Sequence, residues 1–384
     1  MGLALLAPDG VVAWAVRQWL WARHITVQFK EHFSARHLQE ERYEEHDGNQ
    51  ALAEHTEVKP SGPMFLRQFH TLAEPFKEWF KAHFTEQPED YTWTQTHSFF
   101  ALMGGFMLYV DGEPYLTLSP DQLLFLIRAG SIDAPALTAR QIRDRSKGNA
   151  ISKGSIIIQG AWFILQLLSR VIYHLEITHI EVATLAFAVL NFISYAVWWN
   201  KPLDVQCPHP VHWKSAESNP EISFPRHMIG LSLVDSCLQA IGVDAMSPRK
   251  LRVPTFDSLH SIKLQPWESN VLAFAGLAVA TIFGGINCIA WFYAFPTYQE
   301  QVLWRTSAIT ITCIPYLVFV VAFVLFRSRT RQRSSVRFTV FLRACFASYF
   351  TARILLLILM FTTLRNLSSD AYKVVSWTNL VPHL

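Results

Sequence analysis

Two arginines lie inside long apolar segments, where a charge is costly and often functional. Arg170 stands in the segment 155–174 and Arg353 in the segment 338–364. Both lie equally far along their segments, about 22 Å from the start at a helical rise of about 1.5 Å per residue. An unpaired charge in hydrocarbon costs roughly 2.5 to 3.5 kcal/mol on insertion scales. We therefore expect both arginines to face the interior of a helix bundle, with Glu176 or Glu181 paired to one of them.

Three roles fit these arginines. They could snorkel to the lipid headgroups, form structural ion pairs, or bind an anion, because a planar guanidinium suits carboxylate and phosphate. Two guanidinium groups that converge without a carboxylate would indicate an anion site. One carboxylate bridging both would indicate a structural role.

Polar side chains also recur at helical spacing within the first two apolar segments. Each set falls on one helical face, and we expect the two faces to look inward and meet: Gln159, Gln166 and Arg170 on the first segment, and Thr184, Asn191 and Tyr195 on the second. Interhelical hydrogen bonding explains such residues without a ligand. The candidate binding residues are Arg170, Arg353, Gln166, Asn191, Tyr195, Glu176 and Glu181.

The histidines give weaker signals. His174, Glu176, His179 and Glu181 form an HxExxHxE string, but its spacing matches no metalloprotease helix, and a turn between two spans needs polar residues anyway. His97, beside an aromatic run, is most simply a buried histidine with satisfied nitrogens. We found no GxSxG, P-loop, histidine boxes or paired-acid diphosphate motif. We therefore expect no metal and no cofactor, and the sequence leans away from an enzyme.

Apolar residues make up 51% of the 384-residue chain, and they collect in blocks. A membrane-crossing helix needs about 20 apolar residues. Five segments reach that length: 155–174, 182–199, 271–295, 306–326 and 338–364. The formal charge of +3 is too small to suggest nucleic acid, and the five cysteines form no disulfide framework. The sequence predicts an all-α membrane protein, a bundle of five to six transmembrane helices with a mainly helical cytosolic insertion.

Basic residues in short loops set the orientation, because they stay on the cytoplasmic side. Five arginines between residues 327 and 337 join the last two segments, which places that loop inside and the tail 365–384 outside. The same rule makes 23–154 and 200–270 cytosolic. Residues 1–22 are interpreted as a partial or short membrane segment, because Pro8, Asp9 and Arg17 interrupt them.

Within the cytosolic parts we predict short helices starting after Ser119 and Thr138. We also predict amphipathic helices in 65–80 and 200–270. The stretch 93–110 is borderline as a span. Crossing there would reverse every later helix, so we interpret it as a re-entrant or interfacial hairpin that turns at Gly104 and Gly105.

Several strings resemble a large family of uncharacterised fungal multi-pass membrane proteins: LALLAPDGVVAWAVRQW, WTQTHSFFALMGGF, IRDRSKGNAISKG, QGAWFILQLLSR and LEITHIEVATLAFAVLNFISYAVWWNKPLDVQ. The resemblance covers most of residues 3–206; the C-terminal half matches by hydropathy and RVPTF. Relatives usually carry another apolar segment upstream of LALLAP, so this chain looks shortened at its N-terminus. The resemblance implies topology and a fungal source, but no activity.

We expect a multi-pass protein of the plasma membrane or an endomembrane that transports or senses a small anionic or amphipathic solute. Its partners would be the lipid bilayer and that solute. One alternative is a membrane-embedded enzyme, or an accessory protein of a fungal secondary-metabolite pathway, acting on a lipid-like or isoprenoid substrate. Another is a structural membrane scaffold whose soluble region 23–153 binds a partner.

Overall fold

The computed structural model describes residues 7–45, 92–146, 149–214, 253, 266–327 and 335–366. They fall into two compact units. The bundle unit comprises 1–18, 150–198 and 263–384, and the sheet unit comprises 19–149 and 199–262.

The described elements are predominantly helical. In chain order they are α1 (Pro8–Glu45), α2 (Gln95–Leu102), β1 (Phe106–Val110), β2 (Glu113–Thr117), α3 (Pro120–Arg128), α4 (Ala139–Arg145), α5 (Asn149–Ile172), α6 (His179–Val197), β3 (His209–His212), α7 (Pro266–Ile289), α8 (Tyr298–Arg327) and α9 (Ser335–Thr362). Short 3₁₀ turns follow α7 at Ala290–Phe292 and α9 at Thr363–Asn366.

The five long apolar helices expected from the sequence are confirmed. Among the described residues, five helices are long and apolar enough to cross a membrane: Gly154–Ile172, His179–Val197, Trp267–Phe292, Tyr298–Leu325 and Phe338–Arg365. The second begins before the apolar run, because Thr178 caps it. The Thr178 hydroxyl accepts from the Glu181 backbone N–H, and the Glu181 carboxylate accepts from the Thr178 N–H. Such a capping box fixes the helix start.

The bundle unit is built around α6 to α9. Helix α8 packs along both α7 and α9, and α7 also packs against α6. Their facing side chains, together with Val12 of α1, form one apolar cluster, which includes Ala186, Leu190, Phe283, Trp304 and Leu356. Close van der Waals packing of these side chains holds the helices together.

A close approach of α7 and α8 occurs at Gly284. A Cβ added there would lie 2.0 Å from the Thr312 hydroxyl oxygen. The sequence Gly276-xxx-Ala280-xxx-Gly284 predicts such packing, but nothing lies within 4 Å of a Cβ at Gly276. Of the two glycines in this motif, only Gly284 is therefore at a close contact between helices.

The sheet unit contains a three-stranded sheet in the order β2-β1-β3. Strands β1 and β2 are antiparallel, with Val110 opposite Glu113. The two residues between them, Asp111 and Gly112, have φ of 52° and 84°, as a tight hairpin turn requires. Strand β3 pairs in parallel with β1. The expectation of a mainly helical insertion missed this sheet.

The stretch 93–110 forms a helix, a turn and a strand. Helix α2 ends at Leu102, Gly104 takes a φ of 77°, and β1 follows. A Cβ at Gly105 would lie 2.5 Å from the Phe100 ring, so only glycine fits there. The segment packs against the apolar side of α1, where Phe29 stacks on Trp93 with ring centroids 3.9 Å apart. Its contact with a membrane surface stays a prediction.

The two predicted helix starts are confirmed. Ser119 caps α3 and Thr138 caps α4, each in a capping box with a glutamine three residues on. The predicted amphipathic helix in 65–80, most of the loop 200–270, the five-arginine loop and the tail beyond 366 lie outside the described residues.

Candidate functional site

Among the described residues of the bundle unit, Arg353 in the middle of α9 is the most buried charged side chain. Its side chain is only 3% exposed. Its Nη2 donates to Oδ1 of Asp9 in the first turn of α1. The Tyr349 hydroxyl, one turn earlier on α9, donates to the other Asp9 oxygen at 2.5 Å. Asp9 therefore accepts from two donors on one face of α9, and its negative charge offsets that of the guanidinium.

Aromatic rings complete the surroundings of Arg353. Its guanidinium carbon lies 3.7 Å from the centroid of the Phe283 ring of α7 and 5.5 Å from that of Tyr349. A cation over an aromatic face is attracted by the ring quadrupole, most strongly where water is excluded. One guanidinium atom, Nε, is buried and has no hydrogen-bond partner among the described residues. Arg353 thus keeps one donor that its protein neighbours do not use.

A small cavity of about 10 Å³ lies beside Arg353. Its remaining walls come from three helices: Ala183 and Phe187 of α6, Phe283 and Asn287 of α7, and Leu356, Leu357 and Met360 of α9. Asn287 is buried, and its amide donates to the Phe283 carbonyl at 2.8 Å. The space holds about one water molecule. The cavity is apolar except where Arg353 and Asn287 reach it.

Asp9 is the partner of Arg353 that the sequence analysis missed. We expected Glu176, Glu181 or a bound anion as the partner of a buried arginine, whereas Arg353 pairs with Asp9. The signal was present in the sequence. Asp9 interrupts an otherwise apolar opening segment, and a carboxylate in such a segment needs a partner as much as an arginine does.

Arg170 has a carboxylate of its own. Its Nε lies 3.1 Å from Oε1 of Glu181, and its Nη1 donates to the backbone carbonyl of Glu176 at 3.0 Å. An ion pair of this kind, between one arginine and Glu176 or Glu181, was expected and is confirmed. Arg170 pairs with Glu181 and Arg353 pairs with Asp9. The two guanidinium groups therefore neither converge without a carboxylate nor share one. The two arginines also differ in their distance from the end of the helix: Arg170 lies in the last turn of α5, whereas α9 continues for nine residues after Arg353, to Thr362.

We expected the polar residues of α5 and α6 to face the interior of the bundle, and this prediction is wrong for most of them. Gln159, Gln166, Thr184 and Asn191 are exposed, and Tyr195 is half-buried. The buried side of α6 carries small and apolar residues instead, among them Ala186 and Leu190. The binding role of Gln166, Asn191 and Tyr195 stays a prediction, but they do not gather around Arg353.

The two histidines of the string between α5 and α6 have different surroundings. His179 is buried among rings, 4.2 Å from Phe295 and 5.3 Å from Trp304 between centroids. His174 lies in the turn before α6 with a φ of 52°. In the part of the chain that the structure describes, no three His, Cys, Asp or Glu side chains are grouped to hold an ion.

His97 of the sheet unit is a satisfied buried histidine, as expected. Its Nδ1 accepts from the Thr94 backbone N–H at 3.1 Å, and its Nε2 lies 2.6 Å from the Leu137 carbonyl oxygen. Both contacts suit the neutral ring. Burial lowers the pKa of His97, and nearby Arg143 lowers it further, against the opposing effect of the Leu137 carbonyl. Both ring nitrogens are thus engaged by the fold itself.

Comparison with known proteins places part of the chain in context. Residues 74–237 match the model of a protein family described as a family of unknown function (DUF8562). The matched range includes the described sheet, α5 and α6, while Asp9 and Arg353 fall outside it. No curated protein and no solved structure matches the chain.

Proposed function

We propose that the chain is a multi-pass membrane protein that transports or senses a small anionic or amphipathic solute, and that Arg353 contacts the anionic end of that solute. The observation that carries the proposal is the environment of Arg353. It is a deeply buried cation that lines a cavity and keeps one unused donor. Ionisable side chains within apolar helices often mark a solute or ion pathway.

Membrane residence is supported by the surface of the bundle unit. Large apolar side chains are exposed along the long helices, including Leu317, Val320 and Phe323 on α8. In water these would form a large apolar patch, which soluble monomers avoid. In a bilayer they would face lipid. The resemblance to fungal multi-pass proteins supports the same reading and a fungal source.

The position of Asp9 supports an anion as the ligand. Its carboxylate lies in the first turn of α1, where the backbone N–H groups favour negative charge. Arg353 and Tyr349 add two side-chain donors. These groups together form a carboxylate-binding site that a residue of the chain already fills. A solute carboxylate or phosphate would replace Asp9 on Arg353.

The size of the cavity makes this replacement a conformational step. About 10 Å³ admits no solute larger than water, so α1 or α7 must move away from Arg353 before a solute binds. Opening of that kind is what a transporter or a sensor needs, because binding then favours one of two arrangements of the helices.

Uptake by proteoliposomes tests the proposal. The probes are butyrate, dodecanoate and inorganic phosphate, which represent a small carboxylate, an amphipathic carboxylate and a phosphate. We expect uptake of, or thermal stabilisation by, at least one probe, and loss of the effect in Arg353→Gln with partial retention in Arg353→Lys. Arg343→Gln is the matched control, because Arg343 is an exposed arginine of the same helix.

The same experiment separates the rival functions. An unchanged response in Arg353→Gln, or no response to any probe, would contradict the proposal. Conversion of dodecanoate to a product by the purified protein would support a membrane enzyme instead.

A further inference from the structure

Helix α5 is the least buried of the five apolar helices. Only 6% of its apolar window is buried, against 28% for α6. Its exposed side carries large apolar residues, including Ile158, Trp162, Leu165 and Leu168. Helix α5 contacts α6 through the Arg170–Glu181 ion pair and at Gly160, which Phe192 covers; a Cβ on that glycine would be 2.4 Å from the Phe192 ring.

The exposed side of α5 is not uniformly apolar. Gln159 and Gln166 are both exposed, and their spacing places them on one stripe of the helix. Within the described residues, neither side-chain amide has a hydrogen bond. Asn191 of α6 is also exposed. Arg170 is turned to Glu181 and Glu176, which leaves this surface uncharged.

Amides in this position need a partner of a particular kind. An amide in hydrocarbon without a hydrogen bond is costly, and lipid tails offer none. A glutamine side chain has both a donor and an acceptor, so it is complementary to itself. Two copies of the chain inserted in the same direction, related by a two-fold axis along the membrane normal, would place like residues of α5 opposite each other.

We propose that the α5 face marked by Gln159 and Gln166 is the interface between two copies of this chain in the membrane. Each glutamine of one copy bonds the same residue of the other, and the apolar residues between them pack around those bonds. The inference rests on α5 crossing a membrane. It is independent of the solute and of Arg353.

Cysteine crosslinking in liposomes locates the interface. The natural cysteines at 207, 237, 288, 313 and 345 are first replaced by serine or alanine, and a single cysteine is then introduced. We expect Gln166→Cys to form a crosslinked dimer readily and Val320→Cys, on the exposed side of α8, to remain monomeric. Equal crosslinking of both, or none with Gln166→Cys, would overturn the proposal.

Dimer affinity in bilayers, measured by single-molecule photobleaching, tests the role of the amides. The double variant Gln159→Leu/Gln166→Leu should raise the dissociation constant at least about fivefold, as expected for loss of two interhelical hydrogen bonds. Thr184→Ala is the control, because Thr184 is exposed on α6 but its hydroxyl already donates to the Ile180 carbonyl. Unchanged thermal stability would show that both variants fold. A wild-type protein that stays monomeric, or a double variant that dimerises as well as wild type, would contradict the interface.

Discussion

Asp9 and Arg353 are 344 positions apart in sequence, yet they form an ion pair inside the bundle unit. The pair links the first turn of α1 to the middle of α9. The Asp9 side chain is 20% exposed and that of Arg353 is 3% exposed. A buried charge that loses its partner is left uncompensated, so the two residues should depend strongly on each other.

The first prediction follows from this dependence. Asp9→Ala should lower the free energy of unfolding by about 3–5 kcal/mol, because it leaves Arg353 buried without a carboxylate. Asp9→Ala/Arg353→Leu should recover part of that loss, because it removes both charges. Denaturation in detergent measures both variants. As a control, Asp133→Ala removes the exposed Asp133–Lys214 ion pair and should change stability by at most about 1 kcal/mol. Equal losses for Asp9→Ala and the double variant would contradict the coupling.

The second prediction concerns the close approach of α7 and α8. Gly284→Ala should lower the melting temperature, because the new methyl group overlaps the Thr312 side chain, and overpacking costs about 1–3 kcal/mol. Gly285→Ala should be neutral or stabilising, because nothing lies within 4 Å of a Cβ there and alanine favours a helix. Adding Thr312→Ala should restore part of the stability lost in Gly284→Ala, because it removes the hydroxyl oxygen at 2.0 Å but leaves the Cβ of residue 312 at 2.9 Å. A Gly284→Ala variant as stable as Gly285→Ala would show that the two helices are further apart.

The third prediction is a pH dependence of the sheet unit. The folded state keeps the pKa of His97 below its ordinary value of 6.5, so the unfolded chain binds a proton more readily. Stability is therefore fully present above pH 6.5 and falls as the pH drops below it, towards the folded pKa. The fluorescence of Trp93, 5.3 Å from His97 between centroids, in a variant that keeps few other tryptophans, would report unfolding.

A variant at His97 tests whether this histidine, rather than another group of the sheet unit, causes the pH dependence of stability. His97→Gln should be less stable at pH 7.5 but should lose less stability between pH 6.5 and 5. A residual slope is expected, because burial and Arg145 also lower the pKa of His209 in the same unit. An identical slope in wild type and His97→Gln would exclude His97 as the cause.

The fourth prediction is the orientation in the membrane. Positive residues in short loops place 23–154 and 200–270 on the cytoplasmic side and the tail from 365 outside. A single cysteine at Ser334, in the five-arginine loop, should react with an impermeant maleimide only after the membrane is opened. The exposed Cys207 and the other natural cysteines must be replaced first. Labelling of Ser334→Cys in intact cells would reverse the whole assignment.

The sequence predicted the long helices well, because each is a continuous apolar run and α6 is capped by nearby polar residues. The sequence did not predict correctly which side of each helix faces the interior of the bundle. A helix that is apolar all round, such as α9, has no periodicity to distinguish its buried side. On α5 and α6 the polar residues do recur at helical spacing, but this spacing does not show whether their side faces the bundle or its outside. The expected inward orientation of Gln166 and Asn191 was wrong for this reason, although the local pair of Arg170 with Glu181 was predictable.

Contacts between residues far apart in the chain could not be predicted from the sequence, for a different reason. No local pattern pairs β3 with β1, since about 100 residues separate them, and none brings Asp9 to Arg353. The β1–β2 hairpin was readable, because Asp111-Gly112 between two apolar runs is a strong turn signal. We missed this β-hairpin because Phe106–Val110 continues the apolar run of α2, so we interpreted 93–110 as one re-entrant or interfacial segment.

The proposal that a solute replaces Asp9 on Arg353 leads to the most direct test. Dodecanoate binding is measured in nanodiscs for wild type, Asp9→Asn and Asp9→Asn/Arg353→Gln. Asp9→Asn removes the competing charge and leaves Arg353 free, so its affinity should exceed that of wild type by about 10- to 100-fold, the range of one charge-assisted hydrogen bond of about 1.5–3 kcal/mol. The double variant should lose that gain. If Asp9→Asn binds no better than wild type, or if the double variant binds as well as Asp9→Asn, Arg353 is not the anion-binding residue.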